Sequence, residues 1–211
     1  TAFLHSFIVH KRRGGFKLWS MSLLLLTFVL TIFGTFVTRS GLIESVHAFG
    51  VSDLGPVFLI FLALVLFSSI GLLVFRRSFL KSDLTIESWS SKEASFMINN
   101  VLFGALTLGT LLGTLMPSMS EALTGQKLSV TESFFNRMAT PLGLALFLLA
   151  GICIVLTWNK TRFKDQYRKL LPPLILSVVI FIIILIGSGF RFLPTLAFTI
   201  FCFSVSMLFI A

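Results

Sequence analysis

The sequence predicts an all-α protein: a polytopic transmembrane helical bundle of about six full spans, with a partial helix at its N-terminal end. Three observations carry that expectation. Apolar side chains make up 56% of the 211 residues and charged ones only 12%, about half the charged share of an ordinary soluble domain. The apolar residues fall into six uncharged stretches, 18–38, 57–75, 94–116, 138–158, 170–190 and 192–211. Each is long enough, at about 1.5 Å per residue, to cross a hydrocarbon core of roughly 30 Å as a helix. Open strands would leave backbone groups unpaired in lipid.

Taken in order, residues 1–10 (TAFLHSFIVH) are apolar but only half a span long, which fits the end of a helix begun elsewhere. Lys11, Arg12, Arg13 and Lys17 precede the first full span. Arg76, Arg77, Lys81 and Lys92 follow the second; Lys160, Arg162, Lys164, Arg168 and Lys169 follow the fourth. Counting connections, these thirteen cations share one side of the membrane, and Arg39, Lys127, Arg137 and Arg191 take the other. The cation-rich side is expected to be cytoplasmic, so that loops 39–56 and 117–137 and the turn at Arg191 face outward. Within the third span, Gly109 and Gly113 of GTLLG, with Gly104 and Thr114 nearby, offer a close-packing helix face. The 25 Phe read as lipid-facing and packing side chains. The chain starts at Thr1 without Met and ends inside an apolar run, so 1–211 is expected to be a single transmembrane domain cut from a longer chain, and no signal peptide is assigned.

The same composition excludes several classes of function. A Rossmann enzyme or a soluble hydrolase would need more polar surface than 25 charged residues supply. The net charge of +9 resides in short loops and not on a folded basic face, so no nucleic-acid partner is expected. Cys153 and Cys202 lie inside apolar stretches, which argues against a disulfide frame or a paired-cysteine metal site. No Cys-x-x-Cys-His motif occurs, so the chain does not attach haem to itself through thioethers. None of the six stretches holds Asp, Glu, Lys, Arg or His, whereas proton-coupled carriers place ionisable groups at membrane depth.

Three histidines are the candidate ligands. His5 lies about a turn and a half before the basic cluster, inside the membrane toward its cation-rich side; it reads either as a ligand or as a satisfied interfacial histidine. His10, directly before Lys11, reads as a solvated, snorkelling side chain. Five residues of helix turn through about 500°, leaving His5 and His10 roughly 140° apart. They cannot be the two axial ligands of one haem, and a bis-histidine site using His5 draws its second ligand from elsewhere. His47 sits in the outward loop, where residues 42–49 could form a short surface helix and Glu44, three positions earlier, could orient the ring. It reads either as a ligand or as an exposed loop histidine beside a capping carboxylate.

The strings HSFIVHKRRGGFKLWS, GTFVTRSGLIESVHAFG and MINNVLFGALTLGTLLGTLMPSMSEALTGQKLSV followed by FFNR resemble the CcmF and NrfE family, integral membrane haem lyase subunits of cytochrome c maturation. The likeness runs from Thr1 to about Trp158, with TRSGLIESVHAFG its most specific part. The resemblance implies joining a transient haem, the substrate, to the CxxCH thiols of apocytochrome c in an inner membrane of bacterial type. It implies as partners a haem chaperone, apocytochrome c with its thiol-handling subunit, and quinol as electron source. It also implies a permanent haem b in the membrane. Carried onto this sequence, it makes His5 an axial ligand of haem b and His47 an axial ligand of the presented haem, on a loop facing the periplasm. No acid–base catalytic residue is assigned. One ligand of each pair lies here, so the stretch would act as part of a larger lyase. The rival reading is a non-catalytic transporter or assembly subunit in which the histidines are incidental.

Overall fold

In the computed structural model, the described residues are 1–40, 54–81, 88–158, 163–187, 189 and 191–210. Among them the chain is all-helical, and six helices are long and apolar enough to span a membrane, as the composition predicts: Lys17–Arg39, Gly55–Phe75, Lys92–Thr124, Glu132–Val155, Gln166–Gly187 and Phe192–Phe209. The protein is a multi-pass membrane protein. Its surface agrees with that: Ile60, Phe67 and Phe209 are 69%, 72% and 85% exposed, positions that water would penalise and acyl chains solvate. Small hydroxyl residues are correspondingly frequent among the buried positions, namely Ser6, Ser20, Ser69, Ser177 and Thr195. Without a hydrophobic drive between helices, close backbone approach is what holds a bundle together in lipid.

The chain divides into two compact units, 1–84 with 108–132, and 85–107 with 133–211. In the first, α1 (Ala2–Arg13) and α2 (Lys17–Arg39) form a packed hairpin, and α2 also packs against α3 (Leu54–Phe75) and the single-turn α4 (Arg77–Leu80). The hairpin turn is set by RRGGF. Gly14 ends α1 at φ 72°, its amide donating to the His10 carbonyl at 2.8 Å, a left-handed cap that glycine adopts without strain. Phe16, at φ 58°, then opens α2.

In the second unit, α6 (Glu132–Val155), α7 (Phe163–Gly187) and α8 (Phe192–Ile210) follow the first part of α5 (Lys92–Thr124). α7 and α8 pack together, with Phe181 edge-on to Phe192 at 6.0 Å. α6 meets α8 where Gly151 leaves room for Phe203 and Ser204, and the Ser204 hydroxyl donates to the Phe147 carbonyl at 2.6 Å. Val155, Phe203 and Met207 form the buried cluster there. At the start of α5, the Ser91 hydroxyl accepts from the Ala94 amide at 3.2 Å, the Lys92 amide donates to the Thr157 carbonyl at 2.9 Å, and Phe96 packs against Trp158. Glu93, fully buried, stands in this first turn, where a carboxylate meets the positive end of the helix dipole.

Several helices outrun their uncharged stretches. α1 continues through Lys11, Arg12 and Arg13; α6 begins at Glu132; α7 begins at Phe163. α5 runs on to Thr124 with Pro117 inside it, so residues 117–124, expected as loop, are helical. Charge ends the stretch that lipid tolerates, but Lys, Arg, Glu, Leu and Met remain good helix formers in water. At 33 residues α5 is about 50 Å long, more than the hydrocarbon core and headgroup layers together.

Candidate functional site

α1 positions the first candidate ligand. Its buried residues, Ser6 and Val9, mark the inward face of the helix. His5 lies on one flank of that face and is half-buried, at 100° from Ser6 and about 40° from Val9. His10 lies on the other flank, with Phe3 and Phe7. The Phe3 and Phe7 rings are 5.9 Å apart and the Phe7 ring is 6.5 Å from the His10 imidazole. The two histidines therefore serve different surroundings, as their spacing predicts.

Depth separates them too. The last turn of α1 carries His10, Lys11, Arg12 and Arg13, a basic end that complements the negative end of the helix dipole. His5 lies six residues before Lys11, which is about 9 Å of helix rise from that end. α2 then runs from Lys17 to Arg39, about 33 Å of rise, and so carries the chain across a hydrocarbon core.

His10 departs from its expected solvated state. It is half-buried and donates Nδ1–H to the Gly15 carbonyl at 3.2 Å, so the ring closes the turn after α1. The signal was in the sequence, since a histidine four residues before a left-handed glycine cap stands over the free carbonyls of the helix end.

His47 and Glu44 lie outside the described residues, as do Lys160 and Arg162. The segment carrying His47 begins immediately after α2, beyond Arg39 and Ser40. Cys153 and Cys202 are free, half-buried thiols on α6 and α8. Among the described residues no three His, Cys, Asp or Glu side chains gather as a metal-binding group. What α1 offers is one imidazole on each flank, His5 and His10, which suits a centre that brings most of its own ligands: a haem takes four from its porphyrin and needs the protein only at the axial positions.

Comparison with known proteins places the chain in a family. No family model matches it. It is 37% identical over 181 residues to the cytochrome c-type biogenesis protein CcmF of Pseudomonas aeruginosa, covering 85% of this chain and 27% of that protein. It is 37% identical over 180 residues to CycK of Rhizobium meliloti, covering 85% and 26%. A solved cytochrome c heme lyase CcmF superposes with a TM-score of 0.73 at 27% identity, covering 99% of this chain and 30% of that one. The chain thus spans less than a third of the length of the relatives it matches. With six candidate spans, an all-helical fold and this identity along most of its length, the chain belongs to the CcmF, CycK and NrfE family of cytochrome c-type biogenesis proteins.

Proposed function

We propose that this chain is the part of a cytochrome c haem lyase that supplies one axial histidine to each of two haems: His5 to a haem b within the membrane and His47 to the haem being joined to apocytochrome c. The observation that carries the reading is the setting of His5, half-buried on an apolar helix and about 9 Å inside its basic end. A histidine at that depth is costly unless its ring is engaged. The names of the relatives support the reaction: cytochrome c-type biogenesis and, for the solved structure, cytochrome c heme lyase.

The reaction adds two cysteine thiols across the vinyl groups of the haem substrate, forming thioethers. A resident haem b would supply one-electron chemistry that keeps the substrate iron reduced, with quinol as donor. The chain's own work is then positional. His5 would hold that haem within the membrane. His47, on the loop after α2, fixes the substrate iron and thereby orients its vinyl edge toward the CxxCH thiols. Orientation of this kind lowers the barrier by removing motional freedom before reaction, and no proton need pass through either imidazole.

The partners follow from that assignment: a haem chaperone that delivers the substrate, and apocytochrome c with the subunit that keeps its thiols reduced. The cation-rich ends of the helices support an inner-membrane orientation with the His47 loop in the periplasm. The test is the reduced spectrum of the complete protein purified from membranes. A b-type haem that disappears in His5→Ala supports the reading. Haem-free purification of the wild-type protein would favour a non-catalytic transporter or assembly subunit.

A further inference from the structure

On the flank of α1 opposite His5, the hairpin and α4 line a half-open cavity of about 460 Å³. Its lining changes character with depth. Lys17 and His10 stand at the basic end, whereas Phe7, Met21, Leu24 and Leu80 supply apolar wall. Leu24 is seven residues beyond Lys17 on α2, about 10 Å deeper into the span. Ser20 is the third polar side chain of the lining, three residues beyond Lys17, and the two at the basic end are held where they are. Lys17 Nζ lies 5.9 Å from the centroid of the Phe79 ring, within cation–π range. His10 is anchored through Nδ1 to the Gly15 carbonyl.

The electrostatics at that end have one sign. Lys11, Arg12, Arg13, Lys17, Arg76, Arg77 and Lys81 all belong to the ends of α1, α2, α3 and α4 that meet there, and the described residues 1–40 and 54–81 contain no Asp or Glu. The carboxylates nearest in sequence, Glu44, Asp53, Asp83 and Glu87, lie outside the described residues. A cavity with an apolar wall running into the membrane and a cationic mouth at its surface matches one class of molecule. A soluble anion would leave the apolar wall unused, and a zwitterionic lipid would bring its own ammonium into the field of seven cations.

We infer that this cavity binds an anionic phospholipid, with the phosphate at Lys17 and an acyl chain along Phe7, Met21 and Leu24. The site requires only that α2 span the membrane, and it stands whether or not His5 ligates haem.

The experiment is native mass spectrometry of the full-length protein, released from neutral detergent after incubation with phosphatidylglycerol or phosphatidylcholine of identical acyl chains. The wild type should retain phosphatidylglycerol about fivefold or more over phosphatidylcholine. Lys17→Gln should bring the two near parity, Lys17→Arg should keep the preference, and Lys127→Gln, at a cation remote in sequence, should leave it unchanged. Met21→Trp, which fills the apolar wall, should reduce retention of phosphatidylglycerol with every basic residue still in place. That variant keeps the inference testable if Lys17→Gln does not fold. Equal retention of the two lipids by the wild type overturns it, as does a preference untouched in both Lys17→Gln and Met21→Trp. Loss of the preference in millimolar inorganic phosphate at constant ionic strength would mean a site for soluble anions, and would overturn it equally.

Discussion

His10 donates Nδ1–H to the carbonyl of Gly15 across the turn that Gly14 closes. The bond makes the second histidine of α1 a structural element of the hairpin, on the flank of the helix away from His5. His10→Ala should therefore weaken the hairpin by about 1 kcal/mol, the usual worth of one such hydrogen bond. The haem b content should stay that of the wild type. Thermal unfolding in detergent, read beside the reduced haem spectrum, checks both. Loss of haem with no loss of stability would move the ligand assignment from His5 to His10.

Gly14 sits at φ 72° with open space around a would-be Cβ, so backbone strain, and not a clash, decides the effect of changing it. Gly14→Ala should cost about 1 kcal/mol, and Gly14→Val more, because left-handed φ is steeper still for a β-branched side chain. Gly14→Asn should be nearly neutral, since Asn tolerates that region. The order Val, Ala, Asn in unfolding temperature, lowest first, is the expected outcome. Equal effects of all three would mean that the turn is not held in this conformation.

Gly151 is different, because its φ is ordinary and its surroundings are full. A Cβ there would lie 3.0 Å from a Phe203 ring carbon and 3.0 Å from the Ser204 hydroxyl oxygen. Gly151→Ala must push α8 away from α6 or displace the Phe203 ring, at about 1–3 kcal/mol. Gly143, on the same helix with nothing near its would-be Cβ, should accept Ala without loss. Unfolding temperatures of the two variants, side by side, separate close packing from helix propensity.

How much of this was legible in the sequence depends on the range of the interaction involved. The spans were legible because lipid imposes one local rule, about twenty residues without charge, and 18–38 and 192–211 obey it almost to the residue. Helix ends were less so. Glu132 and Phe163 start helices well outside the apolar limits, because water releases the constraint that the count relies on. The divergence of His5 and His10 followed from helical rotation alone. The cavity beside His10 was not legible: Phe79 joins it from 62 positions after Lys17, and nothing in either local sequence announces the meeting. His47 lies outside the described residues and rests on the family string and on its place in the sequence after α2.

Orientation is testable within one unit of the fold. Lys81 and Lys127 are both exposed and both belong to the first unit, but the cation distribution assigns them to opposite sides of the membrane. In a cysteine-free full-length protein, Lys127→Cys should react in intact cells with a membrane-impermeant thiol reagent, and Lys81→Cys should react only after the membrane is opened. The reverse pattern would invert the topology and put the His47 loop on the wrong side for an extracytoplasmic reaction.

The two-haem assignment predicts a dissociation between its two histidines. His5 lies on α1 about 9 Å inside the basic end, while the His47 segment starts after Arg39, at the far end of a helix about 33 Å long. With His47 assigned to the outer face, the two residues would serve different irons, so the two substitutions should fail in different ways. His5→Ala removes an axial donor within the membrane and should abolish or strongly reduce the stably bound haem b. His47→Ala should leave haem b in place and stop maturation of c-type cytochromes, because the substrate's vinyl edge is no longer held against the thiols. A misplacement of about 1 Å already costs on the order of a hundredfold in rate. Covalent haem in the target cytochrome and b-type haem in the purified lyase should be measured in the same strains, with lyase abundance as the control for folding. Normal cytochrome c yield in His47→Ala removes that residue from the site. Loss of haem b in His47→Ala, at wild-type abundance, would mean that both histidines act on one haem and that the two-site arrangement is wrong.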